Sequence, residues 1–231
     1  MTQVPLQSKV LSENQRIADS LRERFAAHQV LCINLVSSPG SGKTTLLERT
    51  LEGYPPETRV AVLTGDIQTE RDAERLARFG FPVKQITTGG ICHLDGRMIE
   101  RALAEWPLEQ HDLLLVENVG NLVCPSSYDL GEAAKVVVLS VTEGEEKPLK
   151  YPSMFFKSEL LVLNKTDLLK YVPFDMNAAK ENARKIHPEI EIIEVSSLNR
   201  DGMSEWFDWL NRKRHTYLEK LRTEICQAQR A

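Results

Sequence analysis

Seven short stretches of the chain are almost wholly apolar and rich in β-branched residues: 30–38 (VLCINLVSS), 59–66, 82–88, 112–119, 135–142, 159–165 and 191–197. Their hydrophobicity is near-continuous rather than alternating. Strands covered on both faces need that pattern, so the runs predict a largely parallel sheet with helices on each side. Between them apolar positions recur at helical spacing, predicting helices over Lys43–Glu52, Glu70–Phe79, Leu94–Trp106, Asn177–Ile186 and Met203–Leu221. A polar N-terminal stretch from Gln7 to His28 predicts another. Residues 143–158 contain Pro148 and Pro152 and predict a loop with a short helix. The fold class expected from this order is α/β, a doubly wound, mostly parallel seven-stranded sheet flanked by helices.

Composition narrows the possibilities. The 231 residues carry 29 Lys plus Arg against 33 Asp plus Glu, a net charge of −4, which makes a poor general binder of phosphate backbones and argues against a nucleic-acid partner. With 42% hydrophobic and 27% charged residues, the chain has enough apolar surface for a sizeable core. No apolar run approaches the roughly 18 residues of a membrane span, and the N-terminal residues show no signal-peptide core, so a soluble cytoplasmic protein is expected. The four cysteines, Cys32, Cys92, Cys124 and Cys226, are far apart, form no CxxC pair and predict no disulfide framework.

The first predicted strand runs straight into Ser37-Ser38-Pro39-Gly40-Ser41-Gly42-Lys43-Thr44-Thr45 and then a helix. That is the strand–loop–helix setting of a phosphate-binding P-loop. Glycines let several backbone N–H groups face one anion, Lys43 adds a point charge, and the Thr44 hydroxyl is placed for Mg²⁺. Ser37 stands where the usual pattern has its first glycine. The sixth strand ends in Asn164-Lys165-Thr166-Asp167. A carboxylate at that spacing accepts from the guanine ring N–H and exocyclic amine, so GTP or GDP is preferred over adenine nucleotides. Ser196-Ser197-Leu198, at the end of the seventh strand, is expected to bring a backbone N–H to the guanine carbonyl. The fourth strand ends in Glu117-Asn118-Val119-Gly120, a carboxylate three residues before a glycine, suited to hold a Mg²⁺ water and to sense a γ-phosphate. Asp66, after the second strand, is a further acidic ligand for the same ion or else a helix N-cap. Lys43, Asp66 and Glu117 are therefore the expected catalytic residues, with Thr44, Asp66 and Glu117 around Mg²⁺. Asn121 rather than glutamine follows Gly120, so no water-orienting group is evident and intrinsic hydrolysis is expected to be slow. The organisation that results is a helical segment over 1–28, a P-loop GTPase domain over 29–221 and a tail over 222–231, the last ten residues reading as frayed helix or tail.

The third strand leads into Gly89-Gly90-Ile91-Cys92-His93-Leu94-Asp95, and Cys124 lies just past the fourth. In a parallel sheet these loops emerge on one side. Cys92 and His93 are expected at a helix N-terminus, whose field favours thiolate. Two thiolates and an imidazole suit Ni²⁺ or Zn²⁺ but leave the coordination sphere incomplete, and a buried cysteine beside a surface histidine is the plainer alternative. Cys32 reads as core. Cys226 carries no specific signal, and His111, His187 and His215 read as surface or helix-end residues.

Taken together, SSPGSGKTT, TGDIQTERD, GGICHLDG, LLLVENVGNLVCP, TEGEEKPLKYP and LVLNKTDLL resemble the HypB family, GTPases that assist nickel insertion into [NiFe] hydrogenase, over residues 8 to 220. The resemblance implies a dimerising P-loop fold related to signal-recognition and nitrogenase-iron proteins. It also implies a GTPase-domain nickel or zinc site at Cys92, His93 and Cys124, near a homodimer contact that would complete the coordination. The partners it implies are a HypA-like nickel chaperone and the hydrogenase large-subunit precursor. The sequence has neither the Cys-rich N-terminal motif nor the long His-rich stretch of some relatives, so metal delivery is expected rather than storage. Competing readings are a UreG-like urease-maturation GTPase, which typically has a CPH motif, a metal-binding protein with a merely regulatory nucleotide site, and an ATP-dependent small-molecule kinase.

Overall fold

The computed structural model describes residues 6–55, 57–68, 71–104 and 106–228. The first five residues of the predicted N-terminal segment, Glu70 at a predicted helix start, Glu105 within another, and 229–231 of the predicted tail lie outside the described residues.

Seven strands form one sheet: β1 (Leu31–Ser37), β2 (Val60–Asp66), β3 (Val83–Thr87), β4 (Leu113–Glu117), β5 (Ala134–Ser140), β6 (Leu160–Asn164) and β7 (Glu191–Glu194). Their spatial order is β3-β2-β4-β1-β5-β6-β7, and every neighbouring pair is parallel. The helices are α1 (Leu6–Ala27), α2 (Lys43–Gly53), α3 (Arg71–Ala77), α4 (Gly96–Ala102), α5 (Lys147–Lys150), α6 (Pro152–Phe156), α7 (Met176–Ile186) and α8 (Met203–Ala228). Single-turn 3₁₀ segments cover Leu108–Gln110 and Cys124–Ser127, and a longer one covers Thr166–Tyr171.

Side chains on β1 alternate between two layers, as a strand's period of two demands. Leu31, Ile33 and Leu35 pack with Leu46, Leu47, Trp206 and Trp209 from α2 and α8. Cys32 faces the other way, with Leu21, Phe25, Leu94 and Ile99 from the side of α1 and α4, and Val36 joins a separate cluster with Met154, Phe155 and Ala179 under α6 and α7. Between Cys32 and Val36 on that second face sits Asn34, fully buried. Both faces of the sheet are covered, so β1, β4, β5 and β6 are buried throughout, which explains their near-continuous apolar runs.

Three elements differ from the sequence expectation. The helix predicted from Leu94 begins only at Gly96, because Asp95 is extended (φ −120°, ψ 169°) and its carboxylate caps the first turn, accepting from the Met98 amide at 2.8 Å. The proline-containing stretch 143–158 forms two short helices, each with proline in its first turn, where the missing N–H costs nothing. The final helix runs on to Ala228, so residues 222–228 of the predicted tail are helical. No helix among the described residues is long and apolar enough to cross a membrane.

Candidate functional site

A cavity of about 510 Å³ opens where β1, β2 and β4 end. Its floor is the loop between β1 and α2. Gly42 adopts φ 95°, a conformation that a side chain disfavours, and a Cβ there would lie 2.5 Å from the Asn164 carboxamide nitrogen. That close approach is used. Asn164 Nδ2 donates to the Ser41 carbonyl at 2.9 Å, and Lys165 Nζ donates to the Gly40 carbonyl at 2.6 Å. The loop is thus stitched to the segment that follows β6.

Lys43 is buried, and its ammonium donates to the Ser37 hydroxyl at 2.7 Å. The residue that breaks the usual glycine pattern therefore holds the lysine. Burial draws the Lys43 pKa below its ordinary value, with Glu117 nearby opposing the shift. The Thr44 hydroxyl donates to Glu117 Oε1 at 2.7 Å, while Glu117 Oε2 is buried without a hydrogen-bond partner among the described residues. Burial pushes this carboxyl up to about 7. An unmet carboxylate oxygen beside a P-loop hydroxyl fits a divalent cation of Mg²⁺ type. Asp66 lines the same cavity, and its carboxylate accepts from the Gln68 amide at 2.8 Å, an Asx turn. Gly120 packs on Pro39, where a Cβ would fall 2.9 Å from Pro39 Cα. The segment after β4 thus rests directly on the P-loop.

Asp167, Ser196 and Ser197 converge beyond this cavity. Ser196 Oγ donates to Asp167 Oδ1 at 2.6 Å, orienting the carboxylate. The Ser196-Ser197-Leu198 segment, expected to bring a backbone N–H to a guanine carbonyl, stands beside Asp167. The Ser196 amide donates to the Asp201 carbonyl at 2.9 Å and the Ser197 amide to Asn164 Oδ1 at 3.2 Å. Asn164 itself is fully buried and works as a brace between the P-loop, Ser197 and Lys165.

Sequence reasoning missed four cavity or loop residues. Arg75 reaches Thr45 Oγ1 at 3.2 Å while paired with Glu48 at 2.8 Å, and Asp72 joins it at the cavity wall. Glu143 accepts from the Ser41 hydroxyl and the Ser140 amide, and Lys147 lies 3.4 Å from the Ser38 hydroxyl. Their signal was position. Residues 143–147 follow β5 at the ligand-binding end of a parallel sheet.

Cys92, His93 and Cys124 come together at the same end, their donor atoms within 4.8 Å of one another and all half-buried. The two sulfurs are 3.1 Å apart. His93 stacks on Tyr128 with ring centroids 3.9 Å apart, and its Nδ1 is buried without a hydrogen-bond partner among the described residues. Burial lowers the His93 pKa, keeping the imidazole neutral and ready to ligate. Cys92 and His93 stand just before α4, where the sequence placed them. Asp95 caps α4, and the Cys124 thiol is raised above its ordinary value, chiefly by its hydrogen bond with Cys92. Two sulfurs and an imidazole, with donor atoms within 4.8 Å of one another, form a donor set for a borderline-soft divalent ion such as Ni²⁺ or Zn²⁺. Asn121 links the two sites, its Nδ2 donating to the Cys92 carbonyl at 3.3 Å.

Residues 31–194 match the family model described as CobW/HypB/UreG, nucleotide-binding domain. The hydrogenase maturation factor HypB of Escherichia coli K12 is 53% identical over 205 residues, covering 89% of this chain and 71% of that protein. HypB of Azotobacter vinelandii is 51% identical over 213 residues, 92% of this chain and 70% of that one. The crystal structure of HypB from Helicobacter pylori in complex with nickel superposes with a TM-score of 0.83 at 41% identity, covering 89% of this chain and 97% of that chain. HypB from Archaeoglobus fulgidus superposes at 0.82 with 40% identity, covering 88% and 99%.

Proposed function

The chain belongs to the HypB branch of the CobW/HypB/UreG family, and from that membership we propose that it is a GTP-hydrolysing nickel chaperone for [NiFe] hydrogenase maturation, with nucleotide state coupled to metal binding. One observation carries the coupling. Cys124 stands four residues after Gly120, and Gly120 lies against Pro39 of the P-loop.

In this reading the P-loop amides and Lys43 hold the β- and γ-phosphates. Thr44 and Glu117, with Asp66 near, hold Mg²⁺, which supplies charge neutralisation on the phosphates. Asp167, oriented by Ser196, reads guanine. A γ-phosphate drawing on the Gly120 amide moves the segment that ends in Cys124, changing its position relative to Cys92 and His93. Ni²⁺ is the cargo, and Zn²⁺ suits the same donors. By reciprocity, nickel changes GTP affinity by the factor with which GTP changes nickel affinity.

Three donors from one chain leave coordination positions open, so a second copy facing the first completes the site, as the family resemblance suggests. Val123 and Ile91, both exposed beside the ligands, supply apolar surface for that contact. A HypA-like nickel donor and the hydrogenase large-subunit precursor are the partners on either side of the transfer. Ligand thiols that must stay reduced point to the cytoplasm.

The test is equilibrium titration with Ni²⁺ and with Zn²⁺, in GDP and in a nonhydrolysable GTP analogue, for wild type and Cys92→Ala. Phosphate release from GTP with Lys43→Ala as control accompanies it. Nucleotide-dependent binding that disappears in Cys92→Ala is expected. Equal metal affinity in the two nucleotide states would defeat the coupling, and no metal binding in either would defeat the chaperone reading.

A further inference from the structure

Glu117 faces the nucleotide cavity, and the next residue, Asn118, begins a chain of buried polar contacts leading away from it. Asn118 Oδ1 accepts from the Leu94 amide and from the Val119 amide, each at 3.0 Å. Its Nδ2 donates to Asn34 Oδ1 at 3.2 Å, and Asn34 Nδ2 donates to Glu132 Oε1 at 3.1 Å. Glu132 Oε1 also lies 3.4 Å from Lys135 Nζ, with both side chains 7% exposed, and Glu132 Oε2 accepts from the Leu130 amide at 2.6 Å. Lys135 Nζ donates in turn to the Pro125 carbonyl at 3.2 Å and the Tyr128 carbonyl at 3.4 Å.

The two ends of this chain matter. One grips the amide immediately after His93. The other grips the carbonyls one and four residues after Cys124, the second belonging to the ring that stacks on His93. In the middle, Asn34 touches neither a metal donor nor the nucleotide cavity, and it occupies a strand position whose neighbours on the same face, Cys32 and Val36, are in apolar clusters. A leucine there would fit the burial pattern of β1 better. Buried carboxamides and a buried ion pair gain little or nothing in stability over apolar residues of the same size. When every member is satisfied, such a network instead holds its ends in one geometry.

We infer that Asn118, Asn34, Glu132 and Lys135 form a buried relay of positioning residues that holds both arms of the Cys92–His93–Cys124 cluster in register and passes them the nucleotide-dependent movement of the segment after β4. The inference rests on the proposed coupling and deepens it. The segment from Gly120 to Cys124 carries Cys124 itself and touches the other arm through the single Asn121–Cys92 contact, whereas the relay grips the Leu94 amide and two carbonyls after Cys124. A displacement of Asn118 shifts the Leu94 amide directly and the Pro125 and Tyr128 carbonyls through Asn34, Glu132 and Lys135. The physical content is a shared two-state element biased from both ends, not mere proximity.

The experiment measures Ni²⁺ dissociation constants with GDP and with a nonhydrolysable GTP analogue, for wild type, Asn34→Leu, and the charge-neutral double variant Glu132→Gln/Lys135→Met. Analogue affinity and thermal midpoint are measured beside them. In both variants the ratio of the two nickel constants is expected to fall to within about twofold of one, while analogue affinity stays within about threefold of wild type. Loss of stability alone would leave that ratio unchanged. Amide exchange on wild-type protein gives a reading independent of how the variants fold. Protection at both Leu94 and Leu130 should differ between the GDP and analogue states. A wild-type ratio other than one that survives in both variants overturns the relay alone, as does unchanged protection at either amide. A wild-type ratio of one overturns the coupling itself and the relay with it.

Discussion

Replacing Glu117 by Gln should stabilise the nucleotide-free protein above neutral pH while removing its hold on a divalent cation. Glu117 is 5% exposed, one of its oxygens lacks a hydrogen-bond partner among the described residues, and burial pushes it from an ordinary 4.5 up to about 7. At about 1.36 kcal/mol per pH unit of that gap, ionising it inside the fold costs about 3 kcal/mol. The unfolded carboxyl ionises near 4.5 and the folded one near 7. Its contribution is therefore fully present below 4.5, declines as pH rises through the interval, and is lost above 7. Glutamine keeps the shape and an oxygen to accept from Thr44 but cannot ionise. Urea denaturation in EDTA, at about pH 5 and about pH 8.5, reads the effect. The two proteins should agree within about 1 kcal/mol at the lower pH. At the higher pH the variant should lead by about 3 kcal/mol, or about 1–2 M in midpoint for an m of about 2 kcal/mol/M. Adding Mg²⁺ and GDP should then favour wild type, because only the carboxylate compensates the ion. Parallel pH profiles for the two proteins would refute the account of Glu117 as a strained, desolvated ligand.

Asp167→Asn removes the acceptor charge that Ser196 orients, and should weaken GDP binding at least about thirtyfold, the order of ~2 kcal/mol for a charged hydrogen bond, with adenine nucleotides unaffected in competition titrations. Gly120→Ala places a methyl 2.9 Å from the Pro39 backbone, so the segment after β4 must move; a loss of about 1–3 kcal/mol in analogue affinity, with GDP affinity less affected, is expected by calorimetry. Trp206→Phe deletes the indole N–H that donates to the Thr50 hydroxyl at 2.8 Å in the α2–α8 core and should lower the urea midpoint by the equivalent of about 2 kcal/mol without changing nickel or nucleotide affinity. Cys124→Ser should abolish any nickel–thiolate charge-transfer band that requires both sulfurs while leaving GTP hydrolysis without metal intact, and an unchanged spectrum would remove Cys124 from the ligand set.

The P-loop, the Asn164–Asp167 segment and the carboxylate at the end of the fourth strand were legible in the sequence because each is local. A strand, a glycine-containing turn and a helix start occupy consecutive residues, and near-continuous apolar runs announce strands buried on both faces. The parallel order followed from the same runs and placed Cys92, His93 and Cys124 at one end of the sheet. Contacts between distant segments were decided only in three dimensions. Nothing in the spacing of Asn164 says that its side chain braces Ser41 and Ser197, nor that Ser37 holds Lys43. Asp95 capping α4 shortened a helix that periodicity alone extends to Leu94, because a cap competes with helix geometry one residue at a time. The relay from Asn118 to Lys135 was the least legible. An asparagine inside an apolar strand reads as an imperfection until the fold sets Glu132 3.1 Å from it and Asn118 on its other side. Local pattern records which residues must be buried. Which buried polar groups satisfy one another is settled only when packing brings together segments as many as 156 residues apart in the chain.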